Sequence, residues 1–181
     1  GDSAESFAAA SRAMMTTDTV LKQSVHEASL SGGACRVSGA AKGAAMIGPN
    51  MATMLAVVMT DASLTPQQTD AVLRQAVDSS FNSISVEGHT STSDTVLLLA
   101  GGSGEVLERE DDLEAITGAV TRVCQDLARA IVADAEGADH LVQIDVRGLR
   151  TREEAERIAR TVADDLLVKT AVTGNDPNWG R

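Results

Sequence analysis

The chain has 181 residues, a formal charge of −11 and an apolar share of 43%, yet only 2% of it is aromatic. That length suits one unit whose core is built from Val, Leu, Ile, Ala and Met, each burying less area than an aromatic ring. The acidic balance and the lack of any basic run exclude a phosphate-binding nucleic-acid surface, and no apolar stretch nears the roughly 20 residues that cross a membrane.

Two cysteines, Cys35 and Cys124, sit far apart without CxxC spacing. They read as buried free thiols and not as a disulfide or a metal site. His26, His89 and His140 are too dispersed to form a metal set. No secretory pattern opens the chain, so a reducing cytoplasm is expected.

In chain order, residues 4–14 read as the end of a helix. Residues 19–28 and 34–41 read as strands separated by the turn Ser31-Gly-Gly33. Next comes Lys42-Gly-Ala-Ala-Met-Ile-Gly-Pro-Asn-Met-Ala-Thr53, followed by an apolar run from Met54 to Met59. The Gly48-Pro49-Asn50 turn leads through Ala52 to Thr53 at the head of a strand over 53–60. Position alone makes such a threonine structural. A hydroxyl entered through a tight turn is also what an N-terminal nucleophile requires. Cutting the Ala52–Thr53 bond frees an α-amine beside the hydroxyl, and with an unperturbed pKa of about 8 that amine can serve as the base. Lys42, an ordinary surface lysine unless it reaches this site, could there lower the amine pKa or pair with a substrate carboxylate.

Thr65-Pro66-Gln67-Gln68 is a capping-box start, with Val72, Leu73, Ala76 and Val77 on one face of the helix that follows. Ile84 and Val86 alternate with polar residues, and 96–99 reads as a fully buried strand. The hydroxyl-rich Thr90-Ser-Thr-Ser-Asp94 precedes that strand. His89, Ser91 and Asp94 lie too close in sequence for a Ser-His-Asp relay, so a supporting hydrogen-bond network is expected there. Gly101-Gly-Ser-Gly104 is a turn, lacking both the dinucleotide spacing and the lysine of a phosphate loop.

Leu113, Ile116, Val120, Val123, Leu127 and Ile131 trace a long amphipathic helix, with Asp111 and Asp112 favourable at its positive end. Asp134-Ala-Glu136-Gly-Ala138 follows, a solvated loop unless its carboxylates find partners, because a helix C-terminus disfavours negative charge. A strand from His140 to Val146 is expected. A helix then starts at Thr151-x-x-Glu154 with Ile158, Val162 and Leu166 inward, and a last strand covers 167–173. Asn175-Asp-Pro-Asn-Trp-Gly-Arg181 is a turn carrying the lone tryptophan. The alternation without a regular βαβ cadence predicts an α/β fold, a layered sandwich of sheets flanked by helices.

The stretch from Lys42 to Asp61 resembles the cleavage-site signature of the glutamate N-acetyltransferase family, the ornithine acetyltransferases. Met15-Thr-Thr-Asp-Thr19, Ser80-Phe-Asn-Ser-Ile84, Thr90 to Leu99 and Asn175 to Arg181 agree in the family's order and span nearly the whole chain. The resemblance implies an N-terminal-nucleophile-like fold of the ornithine acetyltransferase and aminopeptidase type. It makes residues 1–52 the end of an alpha chain and 53–181 the start of a beta chain, both from one precursor and paired in an alpha2-beta2 assembly.

It also implies that Thr53 is cut from Ala52 and carries acetyl from N-acetylornithine to glutamate, without metal or organic cofactor. Lys42 and Glu136 then contact substrate, Glu136 at its amine. Asn50, Asp94, Asn178 and Arg181 support the site. Family members extend beyond both ends of this stretch, and a Thr-Gly pair upstream supplies much of the oxyanion stabilisation. Some use acetyl-coenzyme A, and some serve antibiotic pathways instead of arginine synthesis. Two other readings stay open: an N-terminal-threonine amidohydrolase or aminopeptidase of related fold, and a non-catalytic acidic binding domain.

Overall fold

A computed structural model describes residues 3–44, 54–86, 88 and 93–178. Helix α1 (Ala4–Met14) starts at Ser3, whose hydroxyl accepts the Ser6 N–H. Strands β1 (Lys22–Leu30) and β2 (Gly33–Lys42) form an antiparallel hairpin. Strand β3 (Leu55–Thr60) pairs antiparallel with β2, and β4 (Thr95–Ala100) pairs parallel with β3, giving one mixed sheet in the order β1-β2-β3-β4. Between β3 and β4 run helix α2 (Pro66–Asp78) and a 3-10 turn, Phe81–Ser83. The expected capping box of α2 is present in full, with Thr65 and Gln68 bonding each other's backbone N–H.

The core lies between the sheet and α3 (Glu110–Ala133). Ile116, Val120, Val123, Leu127 and Ile131 recur at helical spacing and are fully buried against Val37, Ala41, Ala56 and Val58. Each contributes roughly 1.5–3 kcal/mol of burial, so this one face outweighs any propensity term. Asp112, in the first turn of α3, accepts the Ser31 N–H at 2.7 Å and the Ser31 hydroxyl at 2.5 Å, tying the β1–β2 turn to the helix. Alternation along the strands sends Gln23, Val25, Ala40, Val57, Leu97 and Leu99 to the other face. There α1 packs on β2, and its Ser11 hydroxyl accepts from Gln23 at 2.7 Å.

The α/β architecture agrees with expectation, and so do α1, α2, α3 and the first three strands. The described residues form one sheet. Four expectations are corrected. Residues 96–99 are a strand but not a fully buried one: Leu98 is buried, whereas Leu97 and Leu99 are about half exposed (47% and 52%), on the face where α1 packs on β2 and leaves these two side chains open. The stretch 140–146 is irregular, with Leu141 and Val142 exposed and no neighbouring strand among the described residues to complete its hydrogen bonds.

Helix α4 (Arg152–Asp164) starts at Thr151 as expected but buries no residue, and Ile158, Val162 and Leu166 face outward. Residues expected as the final strand form helix α5 (Leu166–Thr173). The Asp165 carboxylate accepts the Leu167 and Val168 N–H groups, so a β-prone run closes its own backbone bonds where no strand partner is offered.

Candidate active site

The residues flanking 45–53 meet at one end of the sheet. Lys42 ends β2 and stands opposite Leu55 at the start of β3. Met54 leads into β3; its N–H donates to the Asp94 carboxylate at 2.6 Å and its carbonyl accepts the Thr95 N–H at 3.0 Å. Asp94 thereby ties the entry of β3 to the entry of β4. From the far side, the Glu136 N–H donates to the Ala44 carbonyl at 2.6 Å, bringing the loop after α3 against the end of the β2 segment.

Lys42 is not an ordinary surface lysine, being only 7% exposed. Its ammonium donates to the Thr16 hydroxyl at 3.3 Å, and among the described residues no carboxylate pairs with it. Among the described residues this buried ammonium has one hydroxyl partner, and a buried ammonium with donors to spare suits an anionic ligand. The Glu136 side chain is exposed.

Behind this end of the sheet lies a buried ionic cluster. The Lys22 ammonium donates to Asp18 at 2.6 Å and to Asp134 at 2.5 Å, and the Asp18 and Lys22 side chains have no solvent exposure. Burial alone would raise the Asp18 carboxyl. Donation from the Gly43 N–H, Lys22 and the Thr16 N–H outweighs that and holds it below its ordinary value. Asp134 caps α3 and is the partnered carboxylate that the helix C-terminus requires. Burial again pushes it upward, but Lys22 and Thr19 bring it down to about 2. The Thr19 hydroxyl bonds it closely, and the Thr19 N–H donates at 3.0 Å. The sequence gives little sign of this cluster: Asp18 and Lys22 stand outside any helix, and Asp134 lies 112 residues from Lys22.

Asn178 follows α5. It has a left-handed backbone (φ 46°) and lines a cavity of about 900 Å3 with His140 and residues of α4 and α5, a lining that does not include Lys42, Asp94 or Glu136. Asn50, Ala52, Thr53, Arg181, His89 and Ser91 lie outside the described residues. No group of three or more His, Cys, Asp or Glu suited to a metal occurs among the described residues.

Residues 2–181 match the ArgJ family. The chain is 46% identical over 172 residues to the arginine biosynthesis bifunctional protein ArgJ of Geobacillus stearothermophilus, covering 93% of this chain and 42% of that protein. It is 46% identical over 182 residues to the protein of the same name from a Synechococcus species, covering 99% and 44%. The crystal structure of the Bacillus halodurans ArgJ superposes with a TM-score of 0.64 at 37% identity, over 68% of this chain and 60% of that one. The chain therefore spans a little over two-fifths of the length of these curated relatives.

Proposed function

The chain belongs to the ArgJ family, and from that membership we propose that it forms part of an acetyltransferase moving the acetyl group of N-acetylornithine to glutamate. The reading begins with self-cleavage. The Thr53 hydroxyl attacks the Ala52 carbonyl, the peptide becomes an ester, and water releases an Ala52 carboxylate and a free Thr53 amine. In turnover the same hydroxyl attacks the acetyl carbonyl of N-acetylornithine and passes its proton to the α-amine. The tetrahedral adduct collapses as that proton moves to the departing ornithine nitrogen. Glutamate's amine then attacks the acetyl-threonine ester, N-acetylglutamate leaves, and the Thr53 hydroxyl is restored. No metal or organic cofactor enters these steps.

The observation that carries the reading is the buried Lys42 ammonium at the end of β2, with no carboxylate partner among the described residues. It is suited to a substrate carboxylate, which both acyl donor and acceptor possess. The Glu136 backbone bond to Ala44 supports bringing an acidic side chain to the same mouth, where it would meet a substrate amine. Asp94 supports a fixed entry to β3, one residue after Thr53. Asn50, Asn178 and Arg181 are assigned supporting roles by family resemblance. The same membership supports alpha and beta chains in an alpha2-beta2 assembly and a cytoplasmic location. A place in arginine synthesis is proposed ahead of an antibiotic pathway.

Mass spectrometry of the full-length protein tests the proposal. The expected result is two fragments separated between Ala52 and Thr53, with the fragment beginning at Thr53 gaining one acetyl group on incubation with N-acetylornithine and losing it to glutamate. Thr53→Ala should remain one chain and transfer no acetyl above background. Acetate release that glutamate does not suppress would instead favour an amidohydrolase. An uncut yet active Thr53→Ala would end the reading.

A further inference from the structure

We propose that Asp18 is a positioning residue for Lys42, gripping the substrate-binding lysine from both ends through backbone bonds; this rests on the role given to Lys42 above. One carboxylate oxygen accepts the N–H of Gly43, the residue directly after Lys42, at 2.7 Å. The other accepts the N–H of Thr16 at 3.1 Å, and the Thr16 hydroxyl is what receives the Lys42 ammonium. Asp18 therefore fixes the backbone beside Lys42 and also the partner at the tip of its side chain. No other described side chain bonds both.

Asp18 is itself held on its third side. Lys22 joins it to Asp134, and Asp134 lies two residues before Glu136, whose N–H reaches Ala44. The path closes on itself: Thr16, Asp18, Gly43 and Ala44 on one side, Glu136, Asp134 and Lys22 on the other. Lys42 and Glu136, the two side chains assigned to opposite ends of an amino-acid substrate, are thus set relative to each other by one buried ionic cluster. Such support matters because a site held about 1 Å too loosely loses much of its productive geometry.

A merely structural ion cluster would affect stability and leave substrate affinity alone, so the test separates the two. Asp18→Asn keeps the shape and leaves Lys22 paired with Asp134. However the amide turns, one of its donors faces the Thr16 N–H or the Gly43 and Lys22 donors. In the full-length protein, Asp18→Asn should raise KM for N-acetylornithine and for glutamate about tenfold while kcat changes less than about twofold. Lys42→Met should raise both KM values as well. In the Lys42→Met background, Asp18→Asn should then add no further increase, since it acts through the lysine.

Unchanged KM in Asp18→Asn, or an increase that simply multiplies with that of Lys42→Met, would overturn the proposal while leaving Lys42 in its role. If Lys42→Met leaves KM unchanged, the assignment of Lys42 fails first and the role of Asp18 goes with it. Should Asp18→Asn fold poorly, Lys22→Arg provides the second arm. It retains both ion pairs with a longer donor, and expected KM shifts that again vanish in the Lys42→Met background support the proposal, whereas additive shifts refute it.

Discussion

Single side chains show how strongly burial and partners must compensate each other. Asp134 sits where the α3 dipole opposes a negative charge, yet its carboxyl lies at about 2 against an ordinary 3.8 because Lys22 and Thr19 outweigh desolvation. Folding therefore lowers its proton affinity. The associated stability is fully present above the ordinary value of 3.8 and is lost as pH falls toward about 2. A shift of that size corresponds to about 2 kcal/mol. Asp18 is lowered in the same direction and shares the same ammonium. Urea unfolding measured across this acid range should show Asp134→Asn with a flatter pH limb than the parent and lower stability at neutral pH. Parallel limbs would contradict the assignment. Cys124 is an opposite case: burial pushes its thiol up to about 12 despite the Ser80 hydroxyl, so it remains a packing residue at neutral pH.

At the scale of elements, the docking of α3 on the hairpin depends on a glycine. A Cβ on Gly39 would lie 2.6 Å from a Val123 methyl and 2.9 Å from a Leu127 methyl, so β2 and α3 approach as closely as they do only because that atom is missing. Gly39→Ala should lower the urea midpoint by the equivalent of about 1–3 kcal/mol with little change in m-value. An unaffected midpoint would mean that the helix shifts freely over the sheet. The two C-terminal helices contrast with α3. Neither α4 nor α5 buries a residue, and side chains link them to the rest of the protein. Arg152 donates to the Asp78 carbonyl, Arg160 to the Asn82 carbonyl, and Lys169 to the Val86 carbonyl.

For the molecule as a whole, the two faces of the sheet differ. One is sealed by α3. On the other, Val25, Leu55, Leu97 and Leu99 are 53%, 38%, 47% and 52% exposed, with Val57 and Met59 between them in register. Contiguous apolar surface of this kind drives association. The polypeptide of these 181 residues should sediment as more than a monomer and bind an apolar dye. Leu97→Lys combined with Leu99→Lys should weaken both effects without changing helix content. A monomeric parent that leaves the dye dark would show that this face is satisfied in some other way.

What could be read from the chain alone was local or periodic. The capping box of α2 is complete within Thr65 to Gln68, and the 3.6-residue rhythm of α3 names its buried face directly. The hairpin and β3 follow from apolar runs broken by glycine. The stretch around Lys42 also carried the family resemblance on which the proposed site rests. Tertiary structure alone decided whether Lys42 is buried, that Asp94 holds Met54, and that Asp18, Lys22 and Asp134 meet, because those contacts join residues that chain order keeps apart. It also decided the fate of 166–173. That run carries β-prone side chains, but a strand exists only if another strand completes its hydrogen bonds, whereas the Asp165 cap lets a helix complete its own.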